Sequence, residues 1–373
     1  MIQPRLIHPT RRTALAGIAA VPAFAAGRAL AAADAPLPGP DRTLTRIAFG
    51  SCAHQDKDQP IWDAIAAARP DLFVFLGDNI YADTRDPAVM AAKYRKLAEK
   101  PGFRRFRDAT PILAIWDDHD FGENDGGVGY PMKAESRRQF CDFWAEPADS
   151  PRRTREGIHA AYIFGPQGKR VQILLPDLRW NRTPLTPLEL GGQDYGAWVA
   201  ARARASLPTP GPYMRDPSPA ATMLGEAQWR WLESELSRPA EVRVFASSLQ
   251  VMADFPGWEA WINFAQDHQR LIQAIRTQRA SGLICLSGDT HYAEFSRLDV
   301  NTPYPMWDVT SSGLTETWPV LPPNGRRVGE AWRERNFGLI EIDWANAALR
   351  VEIRDETGRA RITQLIPLAQ LQA

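Results

Sequence analysis

The sequence predicts an α/β layered domain, and three observations carry that expectation. Short apolar runs rich in Val, Ile, Leu and Phe recur along the chain, each closing on a polar cluster. Helical patterns lie between several of these runs, the alternation expected when helices cover a largely parallel sheet. Hydrophobic residues make up 44% and aromatics 10% of the 373 residues, enough apolar surface for a large core and too much for a disordered chain. The length permits one large α/β domain or two average ones.

In chain order, the runs at 46–52, 71–78, 112–118, 170–177, 242–250 and 282–291 read as buried strands bounded by Gly, Pro or Asp. After the first, Pro60 opens a helix through Ile61, Trp62 and Ile65, with proline in the first turn. Further helical patterns occupy 88–99, 133–144, 225–236 and 264–279. The later runs at 305–311, 338–343 and 349–355 lack long helices between them, so part of the sheet is expected to be antiparallel. The proline-rich stretch 180–222 shows no apolar periodicity and is expected to be a surface excursion over one end of the sheet. A single domain over 46–373 follows.

The formal charge balances at 44 basic against 44 acidic residues, but unevenly along the chain. Residues 1–33 carry Arg5, Arg11, Arg12 and Arg28 and no acid, which leaves 40 basic against 44 acidic residues downstream. That balance argues against a nucleic-acid-binding surface. Arg11-Arg12 precedes an Ala/Gly-rich apolar run, 14–26, and a small-x-small pattern at 29–31 or 31–33. This segment resembles a twin-arginine export signal, with Ala14 where such signals usually have Phe. Residues 1–33 are therefore expected to be a signal peptide and 34–45 a linker. The implied partner is the twin-arginine export machinery, and the implied location is periplasmic or secreted. No run reaches the ~20 apolar residues of a membrane span. Cys141 and Cys285 sit in helical or apolar surroundings and read as buried small hydrophobes, whereas Cys52 follows a strand-like run and lies near His54.

In open α/β sheets, ligands bind beyond the carboxyl ends of the strands. Here those ends carry Cys52 and His54, then Asp78 and Tyr81, then Asp117, Asp118, His119 and Asp120, and finally Asp289 and His291. Gathered at one edge, such groups would repel or stay unpaired without a counter-charge, and one or two metal ions are the economical explanation.

Phe49-Gly50-Ser51-Cys52, Gly77-Asp78-Asn79-Ile80-Tyr81, Trp116-Asp117-Asp118-His119-Asp120 and Gly288-Asp289-Thr290-His291 together resemble the PhoD-like (alkaline phosphatase D) branch of the calcineurin-like metallophosphatases. The resemblance runs from about Arg46 to Ser312 and includes Asp177-Leu178-Arg179 and Ser247-Ser248-Leu249-Gln250. Each motif alone is weak; four in order, each after a strand-like run, are specific. The resemblance implies a sandwich of two mixed β-sheets flanked by helices, with a dinuclear site. It makes Asp78 the carboxylate bridging two ions, Cys52 and Tyr81 ligands of one, Asp118 a ligand of the other, and Asp289 and His291 further ligands. His119 is implied to face the substrate as the catalytic residue. The branch is associated with Fe(III) and Ca(II), which agrees with the donors, since thiolate and phenolate suit a transition metal and carboxylates a hard cation. Zn, Mn or Co also fit.

Around this set, Arg179 either pairs with Asp177 or holds substrate phosphate, and Asn124 and Asp125 in the Gly-rich loop 121–127 either line the site, with Asn124 as a substrate contact, or simply form a turn. Asp117 reads as a ligand or as a partner that orients a ligand histidine; His54, which could be a ligand, and His268 read as solvated. Gln250 is either an amide near the ligands or a strand terminator. Thr290 and Asp120 depart from residues often found there, which leaves nearby substrate contacts open. The resulting expectation is an exported, metal-dependent phosphoric-ester hydrolase acting by in-line attack at phosphorus on a small phosphate ester. The alternatives are a phospholipase-type diesterase on the same site and a metal-free thiol hydrolase using Cys52.

Overall fold

The first three strands, β1 (Arg46–Gly50), β2 (Leu72–Leu76) and β3 (Ile112–Ile115), lie parallel and are buried along almost their whole length. That is why they read as continuous apolar runs rather than alternating ones. Helix α1 (Ile61–Ala67) crosses between β1 and β2, and α2 (Pro87–Ala98) and α3 (Pro101–Ala109) between β2 and β3. Asp86 caps α2 by accepting a hydrogen bond from the Ala88 amide at 2.8 Å, with Pro87 in the first turn. The computed structural model describes residues 34–254 and 256–373, so the expected signal segment lies outside the described residues. Residues Asp34–Ala373 form one compact unit.

After β3 come the short helix α4 (Asp118–Phe121) and α5 (Lys133–Phe143), and the chain passes into a second sheet through β4 (Ala160–Phe164) and β5 (Val171–Leu175). The proline-rich excursion follows, carrying β6 (Thr186–Pro187), α6 (Tyr195–Arg204) and β7 (Tyr213–Met214). Helix α7 (Gly225–Leu236), β8 (Val242–Ala246), α8 (Ala265–Thr277) and β9 (Leu283–Ser287) then extend the parallel core of the second sheet. Strands β10 (Ala293–Leu298), β11 (Met306–Ser311) and β12 (Arg327–Trp332) complete it. The chain returns to the first sheet as the meander β13 (Asn336–Asp343), β14 (Ala348–Asp355) and β15 (Ala360–Pro367). The strand orders are β15-β14-β13-β1-β2-β3 and β12-β10-β11-β9-β8-β5-β4, both mixed, and one hydrophobic cluster draws on both sheets.

Several elements were not visible as apolar patterns. No residue of α6 is buried, so it has no apolar face to announce it, and β15 alternates exposed and half-buried positions as an edge strand does. His268, expected to be solvated, is instead buried on the inner side of α8, where burial pushes its imidazole down to about 4. Its neighbour Asp267 explains the inward turn, accepting from the Met223 amide at 2.6 Å and from Trp229 Nε1 at 3.0 Å.

Where β1 meets β13, Phe49 is paired with Gly338, and its ring lies over the glycine so closely that a β-carbon there would overlap it. Gly338→Ala is expected to destabilise the protein by about 1–3 kcal/mol through overpacking, read as a lowered Tm in thermal unfolding with the metal content unchanged.

Candidate active site

The backbone turns sharply where the strands end. Cys52, Asp78, Asp289 and His291 hold left-handed φ values of 64°, 50°, 70° and 61°, a conformation that disfavours side chains larger than glycine. Gly77, at φ 100°, permits the closest approach, since a β-carbon there would lie 2.6 Å from Asp117 Cβ. Hydrogen bonds between loops hold these turns: Ala53 N to Asp78 O at 3.0 Å, Gly288 N to Ser248 O at 3.0 Å, and His291 N to Ser312 Oγ at 2.9 Å. Asp120, fully buried, ties the β2 and β3 ends together by accepting from the Asp117 amide at 2.7 Å, the Asn79 amide at 3.2 Å and the Asn79 side chain. Its carboxylate thus serves the scaffold.

Donor atoms of Cys52, Asp78 and His291 lie within 4.8 Å of one another, as do those of Asp78, Asp118 and His119, and those of Asp117, Asp118 and Asp289. Asp118 also belongs to more than one group, but among the described residues Asp78 is the member shared between the Cys52 and His291 side and the Asp118 side, the placement a bridging carboxylate requires. Tyr81 joins the first group, its hydroxyl 3.0 Å from His291 Nε2 and 3.5 Å from Asp78 Oδ2. The six expected ligands are therefore brought together, with His291 on the Cys52 and Tyr81 side and Asp289 on the Asp118 side. Asp78 Oδ1, Asp117 Oδ2 and Asp118 Oδ1 are buried and accept no hydrogen bond. Buried carboxylate oxygens left bare are costly, and this donor set fits a cation.

The titration of these groups reflects the same crowding. Burial, reinforced by Asp78, pushes the Cys52 thiol well above its ordinary range, and burial with neighbouring acids does the same to Asp78 and Asp289. Asp118 is held down to about 2 against the burial effect by Arg179 and His119. His119 is pushed up to about 11, because Asp78, Asp118 and Asp83 outweigh burial. A cation among them supplies the missing counter-charge and favours the deprotonated ligands.

Arg179 departs from the substrate-binding expectation. Its side chain is 0% exposed, and its guanidinium is spent on Asp117 Oδ1 at 2.5 Å and on Glu259 at 2.8 and 2.9 Å. The guanidinium reaches neither Asp177 nor solvent, and its remaining charged neighbour is Asp118 Oδ1 at 3.7 Å. Asp177 instead receives the amides of Ile158, Arg179 and Trp180. Asp117 Oδ1 also accepts from Ser248 Oγ at 2.7 Å, and its Oδ2 stays bare within the group it forms with Asp118 and Asp289, so it stands among the candidate ligands and beside no histidine. His54 is half-buried and stacked on Tyr81 at 4.7 Å, against the solvated expectation, and His119 covers Tyr81 at 4.2 Å. Gln250 bonds Glu294 and Thr310 beneath the second sheet, away from the ligands. Asn124 is exposed at the rim of a cavity of about 230 Å³ that opens over Asp118, His119, Asp289 and His291. A larger cavity of about 760 Å³, lined by parts of β3 and β4, holds none of the candidate ligands.

Asp125, expected with Asn124 to line the site, does so, whereas two contributors escaped the sequence reading: Glu259 belongs to the acidic lining, and Asp83 holds His119 Nδ1 at 2.8 Å. Asp83 had a signal, standing two residues after Tyr81; Glu259 had none, lying in a loop without periodicity.

The model of the PhoD-like phosphatase family matches residues 47–331. The structure of PhoD is similar over 89% of this chain and 70% of its own, with TM-score 0.62 at 16% identity. The purple acid phosphatase PPD1 from yellow lupin (Lupinus luteus) seeds matches over 88% of this chain and 55% of its own, with TM-score 0.54 at 13% identity. A dimetal phosphatase from Danio rerio matches over 88% of this chain and 100% of its own, with TM-score 0.51 at 14% identity. These likenesses show the fold, two mixed sheets flanked by helices. No curated protein matches the chain. The family match spans most of the sequence and every motif that builds the buried donor cluster; this chain belongs to the PhoD-like phosphatases and is a phosphoric-ester hydrolase.

Proposed function

We propose that the chain hydrolyses phosphate esters with two metal ions bridged by Asp78, one held by Cys52, Tyr81 and His291 and the other by Asp118 and Asp289. The observation that carries this reading is that Asp78 shares one donor group with Cys52 and His291 and another with Asp118 and His119, while its Oδ1 accepts no hydrogen bond. The first group offers sulfur, phenol and imidazole and the second is mostly carboxylate, which supports Fe(III) with Ca(II) over two like ions. When bound, the ions acidify water and neutralise phosphoryl oxygens during in-line displacement at phosphorus.

The chain's own residues then have distinct tasks. His119 lines the cavity with its Nδ1 fixed by Asp83, and it donates a proton to the leaving oxygen. Arg179 keeps Asp117 and Asp118 ionised and aimed. Cys52 is a ligand and not a nucleophile, because its sulfur is 0% exposed and burial holds it as a thiol without a cation. Export supplies the setting: the Arg11-Arg12 signature supports passage of the folded, loaded protein to the periplasm or beyond.

Prolonged chelation is expected to abolish ester hydrolysis and metal addition to restore it, while thiol alkylation of the loaded enzyme leaves activity in place. The iron-loaded protein is expected to show a phenolate charge-transfer band in its visible spectrum that Tyr81→Phe removes; an unchanged band in that variant excludes Tyr81 as a ligand. His119→Asn is expected to lower kcat by about 10²–10⁴ on esters of poorly acidic alcohols. The loss should shrink on esters with acidic leaving groups, and kinetics across a leaving-group series read this directly. Arg179→Met is expected to reduce bound metal from two ions towards one and to lower stability by about 3–5 kcal/mol, as removal of one partner of a buried ion pair does. Metal analysis with thermal unfolding checks it, and a variant changed only in KM would return Arg179 to substrate binding.

A further inference from the structure

The residues lining the 230 Å³ cavity are of two kinds. One kind is acidic, with Asp118, Asp125, Glu259 and Asp289 alongside His119 and His291; among the described lining residues none is Lys or Arg. The other kind is apolar and aromatic, with Trp258, Trp318 and Tyr292 beside Pro256 and Pro322. We propose that Trp258 and Trp318 form a subsite for a planar aromatic group carried on the phosphoryl centre, so that the preferred substrates are aryl or heteroaryl esters uncharged apart from the phosphoryl group. This rests on the hydrolase reading of the adjoining donor cluster and goes on to name its substrate class.

The two indoles stand 6.1 Å apart between centroids at 73°, and Tyr195 of α6 meets Trp258 edge-on at 6.0 Å. Trp318 is 43% exposed, so a large aromatic surface stays in water at the mouth of a reaction site, where a ring from a ligand can cover it. Both rings are carried on fixed backbone. The Trp318 amide donates to the His291 carbonyl at 2.9 Å, which couples one ring directly to a candidate ligand. The Trp258 segment is bonded to the excursion through Gly211 N to Pro256 O at 3.0 Å and Tyr213 N to Gly257 O at 2.9 Å. Gly211 permits that contact, since a β-carbon there would lie 2.6 Å from Trp258 N.

Charge selects the kind of group. With Asp118 and Asp289 given to a metal ion and Glu259 paired with Arg179 and Arg182, the described lining keeps Asp125 and offers no Lys or Arg, so a second anionic group on the substrate finds no basic side chain to meet it, whereas an uncharged ring needs none.

The test is binding without turnover. Isothermal titration of the metal-replete protein compares phenylphosphonate with methylphosphonate, which share the phosphonyl group and differ only in the ring. The expected result is about tenfold tighter binding of phenylphosphonate, the scale of one aromatic stacking contact. Trp258→Ala and Trp318→Ala should each narrow that ratio and together bring it near one, while Trp258→Phe and Trp318→Phe, which keep a ring and guard against misfolding, should retain most of it. Equal affinities in the wild type, no binding of either phosphonate, or a ratio that survives both alanine substitutions overturns the subsite. Loss of the hydrolase reading shows separately, as absent ester turnover by the same metal-replete wild type while the phosphonate ratio stays measurable.

Discussion

The structure depends on keeping four carboxylates, Asp78, Asp117, Asp118 and Asp289, close together and largely out of water. Like charges at this separation, in a low-dielectric setting, oppose folding unless something compensates them. The protein supplies part of the compensation itself. Arg179 meets Asp117, approaches Asp118 at 3.7 Å and shares Glu259 with Arg182, so a buried chain of alternating charge runs beneath the site. The compensation is incomplete. Oxygens of Asp78, Asp117 and Asp118 remain bare, so the deficit is spread across the cluster where cations would sit.

Much of the local architecture answers that same constraint. The left-handed turns at Cys52, Asp78, Asp289 and His291 cost backbone energy; those at Cys52, Asp78 and His291 are held by a bond to another loop or strand end, and Gly288 beside Asp289 bonds Ser248. Such turns allow a strand to end abruptly and swing its next side chain towards a common point, which extended backbone would carry past it. Asp120 and Asn79 do for the loops what Arg179 does for the charges, joining the β2 and β3 ends so that Asp78 and Asp118 keep a fixed separation. The excursion 180–222 is fixed to the roof at two levels: backbone pairing with 256–258, and the Tyr213 hydroxyl on Asp125.

What could be read from the sequence followed from short-range physics. Strands buried on both faces announce themselves as apolar runs, and side chains just beyond them must converge, which gathers the polar residues from Cys52 to His291 at one edge; the resemblance to the PhoD-like branch then singles out Cys52, Asp78, Tyr81, Asp118, Asp289 and His291 among them. The division of Asp289 and His291 between the two groups could not be read. Two residues apart, they separate because of turn conformations and the hydrogen bond from the His291 amide to Ser312, a contact with another strand end. Arg179 illustrates the complementary failure. A lone arginine after a strand near a phosphate site suggests an anion ligand, and only burial among Asp117 and Glu259 from distant segments shows its charge already spent. Elements without an apolar face, such as α6 and β15, were invisible for the same reason: nothing in their own residues records what they lean on.

The charge count gains a different meaning from this arrangement. A slightly acidic body downstream of residue 33 looks ill-suited to an anionic substrate, and the cavity lining sharpens the paradox by lacking Lys and Arg. It dissolves if the acids are counted as part of a cation site. A fixed basic side chain in the cavity would attract phosphate, but it would also compete with ions for the same carboxylates and weaken the groups on which hydrolysis depends. Placing the arginines beneath the carboxylates, as Arg179 and Arg182 are, lets them support the ligands from behind while leaving the open side to cations and substrate. The acidic balance is therefore what a cation-dependent phosphatase requires, with the attraction for substrate lodged in ions that the sequence count omits.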